Sequence, residues 1–156
     1  MCNISCCVTG HRRLPVNKME KIVINLHREI EKLIADGVTD FISGGALGFD
    51  QIVASLIVAK KEMDINIRLI FALPCKNQDT FWSQKQKTLY QNLLIEADEI
   101  IYLSDNYDPD CMRRRNQYMV EHSKYCICAL LHEKSGTGQT VRLARKNGLK
   151  IINVMA

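Results

Sequence analysis

Long apolar segments, targeting signals and low-complexity tracts are all missing from this 156-residue sequence. No apolar run approaches the roughly 20 residues that a membrane-spanning helix needs. The first residues lack the basic stretch followed by an apolar stretch that marks a secretion signal. No linker-like or repeated segment divides the chain. We therefore expect a single globular domain over residues 1–156, a cytoplasmic location and no membrane partner.

A metal-binding or disulfide pattern is also missing, although the chain has seven cysteines. Structural zinc sites need two well-spaced cysteine or histidine pairs on loops, and no C-x-x-C pair is present. Reduced thiols that serve as small core residues are therefore expected, with no bound metal. Two cysteines in predicted loops, Cys75 and Cys111, are the candidates for reactive thiols.

Short apolar runs alternate with helical patterns along the chain. Strands are predicted at residues 4–9, 40–43, 67–73, 99–103, 125–131 and 150–154. Helices are predicted at residues 16–35, 47–62, 79–96, 113–122 and 138–146. This alternation is typical of an α/β fold, here a single Rossmann-like domain with a mostly parallel sheet and helices on both faces. Ligands of such sheets bind beyond the carboxyl ends of the strands.

Two glycine-containing turns follow the first two predicted strands. In the first, Thr9-Gly10-His11-Arg12, His11 could exchange a proton and Arg12 could hold a phosphate, unless both are simply solvated. The second turn begins Ser43-Gly44-Gly45 and leads to Asp50. Its spacing differs from G-x-G-x-x-G and no Lys-Ser/Thr follows, which disfavours conventional NAD enzymes and ATPases. Asp50 either caps the helix amides or holds a ribose hydroxyl.

A third turn follows the fifth predicted strand and is the better candidate for a phosphate cradle. It combines two glycines, three hydroxyl side chains and a helix N-terminus, which together attract anions. A plain capped turn needs fewer such residues. The segment consists of Ser135, Gly136, Thr137, Gly138, Gln139 and Thr140.

The net charge of +4 is mild, but the basic residues are clustered. Arginines 113–115 form the densest cluster, and Arg115 shares a helix face with Met119, from which it could reach a ligand. The neighbouring arginines fit a solvated helix face better. Trp82 could stack on a base, although a tryptophan at the start of a helix more often packs in the core.

These segments, in this order, resemble the SLOG superfamily, and within it the small stand-alone YpsA-like branch. The superfamily groups Rossmann-like proteins around DprA, which handles single-stranded DNA, and LOG, the cytokinin-activating phosphoribohydrolases. The resemblance covers nearly the whole chain and implies a nucleotide or nucleotide-derived ligand at the strand ends. It rests on residues 9–12, 43–50, Gln78 with Trp82, 111–116 and 135–138.

The comparison with LOG separates ligand binding from catalysis. Residues 112–119 are similar to the M-H-E-R-K-x-x-M helix of LOG, which implies that Arg115 occupies the position of the catalytic arginine, with Asn116 beside it. The LOG loop P-G-G-x-G-T-x-x-E aligns with residues 134–142, so that Arg142 stands where LOG has its catalytic glutamate. Because cleavage of an N-glycosidic bond needs a carboxylate, Asp50, Glu121 or Glu133 would have to replace it.

The sequence therefore predicts a protein that binds a nucleotide, a nucleotide sugar, an ADP-ribose-like molecule or a signalling nucleotide, as a sensor or sequestering protein and without a required cofactor. The alternatives are a LOG-like hydrolase of nucleoside monophosphates, with Arg115, Asp50 and Glu121 as catalytic candidates, and a DprA-like protein that binds single-stranded nucleic acid. Nucleic acid is the less favoured partner, and homo-oligomerisation is left open. The predicted ligand-binding residues are Thr9, Gly10, His11, Arg12, Ser43, Gly44, Gly45, Asp50, Trp82, Arg115, Asn116, Ser135, Gly136, Thr137, Gly138, Gln139 and Thr140.

Overall fold

The computed structural model describes residues 3–155, in which six strands alternate with five α-helices. One turn of 3-10 helix, Val16–Lys18, precedes the first α-helix. The predicted alternation is confirmed, with boundaries that move by a few residues. The elements are β1 (Ser5–Gly10), α1 (Met19–Ala35), β2 (Asp40–Ser43), α2 (Phe49–Glu62), β3 (Arg68–Leu73), α3 (Gln84–Ile95), β4 (Glu99–Tyr102), α4 (Cys111–Glu121), β5 (Tyr125–Ala129), α5 (Gly136–Lys146) and β6 (Lys150–Asn153).

The six strands form one sheet in the order β4-β3-β2-β1-β5-β6, and all five pairings are parallel. The sheet is thus entirely parallel, which confirms the Rossmann-like α/β fold. From β1 the chain adds strands on one side as far as β4, and then crosses to place β5 on the other side. The order of strands therefore switches at β1, and a crevice opens beyond the carboxyl ends of β1 and β5.

Helices cover both faces of the sheet and create two layers of core. Neighbouring residues of a strand point to opposite faces. Phe41 accordingly packs with residues of α1 and α2, such as Leu26 and Ile57. Its neighbour Ile42 packs with Met119 of α4 and with residues of α5 on the other face. The predicted covering of both faces is confirmed, and it leaves the edge at the strand ends as the open part of the sheet.

The helix predicted to start at residue 79 begins instead at Gln84. Ser83 forms a capping box with Gln86: the Gln86 amide donates to Ser83 Oγ at 3.2 Å, and the Ser83 amide donates to Gln86 Oε1 at 2.9 Å. These bonds satisfy amides that a helix start leaves without partners, and so fix the first turn at this point. Residues 79–82 consequently form turns outside the helix.

Two glycines allow the end of β1 and the start of α2 to pack closely against each other. A Cβ at Gly10 would collide with the Phe49 ring, and a Cβ at Gly48 would collide with the carbonyl oxygen of Arg12. Gly48 also has a φ of +86°, which a side chain rarely tolerates. The Phe49 amide donates to the His11 carbonyl at 3.2 Å. The β1 turn is therefore held directly against the N-terminus of α2.

The cysteines that the structure describes are all free and buried, as predicted for core thiols: Cys6, Cys7, Cys75, Cys111, Cys126 and Cys128. Cys75 lies in the loop after β3, as predicted, whereas Cys111, also predicted in a loop, is the first residue of α4. Both side chains are buried, which disfavours the prediction that they are reactive thiols. Within residues 3–155, no group of three or more histidine, cysteine, aspartate or glutamate side chains could hold a metal ion. No helix in the same range is long and apolar enough to cross a membrane.

Candidate functional site

A cavity of about 290 Å³ opens at the switch in strand order, beyond the carboxyl ends of β1 and β5. This volume is near the lower end of the range for small-molecule sites, roughly 300–1,000 Å³. The turn after β1, the start of α2, one face of α4 and the start of α5 all contribute to the walls. Ten of the predicted ligand-binding residues line it: Thr9, Gly10, His11, Arg12, Asp50, Arg115, Asn116, Gly136, Thr137 and Thr140.

One face of α4 forms a whole wall of the cavity. Met112, Arg115, Asn116 and Met119 line it, at the spacing that places side chains on one side of a helix. Three lining residues were not among the predicted ligand contacts: Ala46, Met112 and Met119. Helical spacing from Arg115 could have identified Met112, because it lies one turn before the arginine. Nothing in the sequence distinguishes Ala46 from other small residues in a turn.

Ser43, Gly44 and Gly45 lie behind the cavity wall and support it. Ser43 Oγ donates to the Asp50 carbonyl at 3.0 Å and accepts from the Gly45 amide at 3.2 Å. Gly44 provides space, because a Cβ there would collide with the guanidinium of Arg115 and would come within 2.9 Å of Asp50 Oδ2. The turn thus acts by holding the start of α2 and by leaving room for two charged side chains.

Several other predicted residues lie outside the cavity. Trp82 packs edge-to-face on Tyr90, with ring centroids 4.9 Å apart. Glu121 is exposed at the end of α4, where Gln117 donates to it at 2.9 Å. Arg142 donates to the Glu133 carbonyl at 2.7 Å, and both side chains are largely exposed. Of the carboxylates in residues 3–155, Asp50 alone lines the cavity.

Arg115 places a buried positive charge in this cavity. Its side chain is 7% exposed, and its guanidinium donates to the Gly44 carbonyl at 2.7 Å and to Asn116 Oδ1 at 2.8 Å. Arg113 and Arg114 pair with aspartates, whereas Arg115 forms no ion pair with any residue between 3 and 155. Asp50 is a nearby acidic group that favours the charged form of Arg115, but burial outweighs it and lowers the pKa of Arg115. A further anion in the cavity would stabilise this guanidinium.

Asp50 is the second buried charged group of the cavity. It is 5% exposed, and its Oδ2 accepts from the Ala46 amide at 3.3 Å. Burial raises the pKa of Asp50 to about 6, although Arg115, the Ala46 amide and Arg12 act in the opposite direction. A carboxyl group with such a pKa exchanges its proton near neutrality, so it can accept or donate a hydrogen bond to a ligand hydroxyl.

The start of α5 supplies backbone donors to the same cavity. Ser135 Oγ caps the helix by accepting from the Gly138 amide at 3.0 Å. The amides of Gly136 and Thr137 come before the first intrahelical bond, and no acceptor within the described residues bonds them. A Cβ at Gly136 would meet nothing within 4 Å, whereas one at Gly138 would collide with the Glu133 carbonyl. Gly136 is therefore the open position of this turn, and Gly138 is the packed one.

Solved structures with a similar fold include two DNA processing proteins. DprA from Streptococcus pneumoniae superposes with a TM-score of 0.71 at 16% identity, over 96% of this chain and 49% of that one. The DprA structure from Helicobacter pylori, which describes a single-stranded DNA binding mode, gives a TM-score of 0.67 at 22% identity, over 95% of this chain and 63% of that one. The chain thus spans about half to two thirds of these proteins, and at such identities the likeness concerns the fold.

A protein relative matches most of the chain. The SPbeta prophage-derived protein YoqJ of Bacillus subtilis (strain 168) is 35% identical over 144 residues, which cover 84% of each chain. The sequence model called YpsA, which describes the YspA SLOG family, matches residues 6–148 of this chain. This range includes every element that lines the cavity. The resemblance to the YpsA-like branch of the SLOG superfamily is thereby confirmed: this chain belongs to the YspA SLOG family.

Proposed function

We propose that the protein binds a nucleotide or nucleotide-derived ligand in this cavity and acts as a sensor or sequestering protein. The observation that carries the proposal is the juxtaposition of Arg115 with the start of α5. A buried guanidinium that has no carboxylate within 4 Å lines one small cavity together with Gly136 and Thr137, whose helix amides are unbonded. Both groups attract anions, and a phosphate is the common anion that accepts hydrogen bonds from a planar fork and from a helix N-terminus together.

The remaining lining residues favour a larger ligand than inorganic phosphate. Asp50 and Asn116 offer polar side chains to sugar hydroxyls. Met112 and Met119 add apolar surface, which suits a ring and not a second charge. Arg12 lies exposed at the rim and adds positive charge there. An anion-binding segment, polar side chains that can bond to sugar hydroxyls and an apolar wall together match a phosphorylated ribose compound.

The surroundings of the cavity favour binding over turnover. At the position of the LOG glutamate, Arg142 is directed to Glu133 outside the cavity. Glu121 is also outside, which leaves Asp50 as the carboxylate available to a ligand. A hydrolase would need that single group to support both the sugar and the departing base. Release of free base from nucleoside monophosphates, followed by chromatography, tests this alternative directly.

A ligand screen tests the proposal. Folded protein is titrated with AMP, ADP, ADP-ribose, the matching nucleosides and inorganic phosphate, with binding followed by calorimetry and by thermal shift. At least one phosphorylated compound should bind with a measurable heat and raise the unfolding temperature, because a ligand that binds only the native state stabilises it. Nucleosides should bind at least about tenfold more weakly, since they lack the charged group. Absence of binding by every phosphorylated compound would contradict the proposal.

Gly136→Ala should weaken binding of the phosphorylated ligand by about tenfold or more while leaving the fold unchanged. The added methyl group meets no protein atom within 4 Å, and Gly136 lines the cavity, so the methyl group should compete with a phosphate for space near the α5 amides. Calorimetry gives the affinity, and circular dichroism checks the fold. Lys146→Ala, at the exposed far end of the same helix, is the matched control and should bind normally. Equal affinities of Gly136→Ala and wild type would place the phosphate elsewhere.

Single-stranded nucleic acid is the second candidate ligand, and exposed aromatic residues at the carboxyl edge of the sheet favour it. Phe81 is 98% exposed and Tyr107 is 64% exposed, on the loops that follow β3 and β4 at the carboxyl edge. The two loops are joined by a hydrogen bond from the Tyr107 amide to Asn77 Oδ1 at 3.1 Å. Exposed Arg113 lies on the following helix. Aromatic and cationic side chains together are typical of surfaces on which bases stack.

If this surface binds DNA, a fluorescent single-stranded oligonucleotide should show an affinity that falls steeply with salt. Phe81→Ala should then weaken binding by roughly tenfold, in line with the loss of about one stacked base. Fluorescence anisotropy measures both effects, and Val16→Ala, which removes an exposed apolar side chain far along the sequence from these loops, is the control. Absent or salt-independent binding removes this candidate.

A further inference from the structure

The ring of His11 accepts hydrogen bonds from two backbone amides in the loop between β5 and α5. Its Nε2 lies 2.9 Å from the Leu131 nitrogen and 3.4 Å from the His132 nitrogen. Both partners are N–H groups, so they can only donate. Nε2 must therefore carry its lone pair, and in the neutral ring the proton sits on Nδ1. The geometry thus specifies both the charge state and the tautomer of His11.

These bonds continue to the start of α5. The His132 carbonyl accepts from Ser135 Oγ at 2.6 Å, and Ser135 Oγ accepts in turn from the Gly138 amide at 3.0 Å. At its other side, His11 is fixed by its own carbonyl, which accepts from the Phe49 amide at 3.2 Å. His11 therefore connects the start of α2, which carries Asp50, to the start of α5, which carries the open amides.

We propose that His11 is a positioning residue that holds the anion-binding start of α5 in its binding position, and that it does so only while Nε2 is unprotonated. The proposal rests on the proposed function, because the held segment is the phosphate cradle of that site. Protonation would direct an N–H of the ring at two other N–H groups. The loop would then have to move away, and the amides of Gly136 and Thr137 would shift within the cavity that Arg115 also lines.

The charges around His11 favour its neutral form. His132, in the loop before α5, has its ring centroid 5.4 Å away, and Arg12 is the next residue in the chain. Arg115 of α4 and Asp50 of α2 line the same cavity, and Asp50 is the one anionic group among them. Burial first, and then His132, lower the pKa of His11 below its ordinary value. The hydrogen bonds are thus intact at neutral pH and are lost as the pH falls through the lowered pKa.

Three variants separate this role from a purely structural one. His11→Gln places a side-chain oxygen near the Nε2 position that accepts from the same amides but does not titrate. His11→Ala removes the acceptor. His27→Gln, on an exposed part of α1, is the matched control. All three are compared with wild type between about pH 5 and pH 8, the range in which histidine changes its charge.

The first measurement uses ligand-free protein. In nuclear magnetic resonance spectra, the amide signals of Leu131 and His132 should follow the titration of His11 in wild type and in His27→Gln. In His11→Gln they should stay near their neutral-pH positions throughout. In His11→Ala they should shift at all pH values and exchange with solvent at least about tenfold faster, because the amides have lost their acceptor. Amide signals that do not respond to either His11 variant would overturn the proposal.

The second measurement is the affinity for ADP at about pH 7.5 and pH 5.5. His11→Ala should bind at least about tenfold more weakly than wild type at the higher pH, and His11→Gln should bind within about threefold. The pH dependence of wild type should be steeper than that of His11→Gln, and the difference isolates His11 from Asp50, which titrates in both. Equally weak binding by both variants would overturn the proposal. If no form binds ADP or another nucleotide, the proposed function fails, while the amide titration still decides the role of His11.

Discussion

Arg115→Met is expected to weaken binding of the phosphorylated ligand by about 100-fold or more. Charge-assisted hydrogen bonds contribute about 1.5–3 kcal/mol each, and a bidentate arginine makes two of them. Methionine has a similar length and matches the two methionines that already line this wall. The substitution leaves the Gly44 carbonyl without its donor and removes the charge that lowers the pKa of Asp50, so thermal unfolding and circular dichroism check that the variant is folded. Calorimetry against the best nucleotide of the screen measures the loss.

Arg113→Met is the matched control for this experiment. It removes the same charge from the same helix, two residues away, but at a side chain that is 66% exposed and pairs with Asp110. Its affinity should stay within about threefold of wild type, because exposed ion pairs and distant charges contribute little. Equal losses in both variants would show that the net charge of the protein, and not the buried guanidinium, attracts the ligand. Arg115→Lys should give an intermediate loss, since lysine keeps the charge without the planar fork.

Asp50→Asn is expected to raise the free energy of unfolding by about 3 kcal/mol near pH 8 and to change it little near pH 4. The folded state raises the pKa of Asp50 from 3.8 to about 6. The folded protein therefore holds this proton more tightly than the unfolded chain, and its stability falls as the pH rises from about 4 to 6. About two pKa units correspond to about 3 kcal/mol. Asparagine resembles the protonated acid and avoids this cost.

Urea unfolding of wild type and variant at the two pH values measures the effect, with exposed Asp36→Asn as the control. The same substitution should weaken nucleotide binding if the carboxylate accepts a hydrogen bond from a sugar hydroxyl. A variant that is more stable and binds less well is the expected signature of a group kept for function at a cost in stability. Loss of stability at both pH values would contradict the explanation, because it would make the carboxylate a net stabilising group.

Much of the fold could be predicted from the sequence because strand and helix patterns alternate regularly. The bounds of β2 agree with the prediction, and the C-terminal ends of α1 and α2 agree to the residue. The predicted start of α3 was wrong, although Ser83 and Gln86 have the spacing of a capping box. Residues 79–82, Asp-Thr-Phe-Trp, contain no glycine or proline to mark a break before the helix, so the prediction began the helix too early. Strand order, by contrast, depends on contacts between distant segments and has no local signal.

The candidate site shows where chemical type alone is insufficient. The prediction that the glycine turns lie at the same edge of the sheet is confirmed, because the carboxyl ends of parallel strands meet there. Trp82 and Glu121 have suitable side chains, but packing on Tyr90 and exposure at the end of α4 keep them out of the cavity. Conversely, His11 owes its role to two amides about 120 residues further along the chain. Such a contact cannot be inferred from one sequence without its fold.

The central position of β1 has a consequence for protein synthesis. β1 is made first, yet one of its two neighbours is β5, and their register joins Gly10 to Ala129. Before β5 and α5 are synthesised, the growing chain already contains Arg12, Asp50 and Arg115. It does not yet contain Gly136 and Thr137, whose amides complete the proposed phosphate cradle. Under the proposed function, a nascent or truncated polypeptide that lacks α5 therefore has no complete binding site. Binding would then be restricted to chains in which α5 has been synthesised and packed against the sheet. A ligand present during translation could stabilise the chain only after that step.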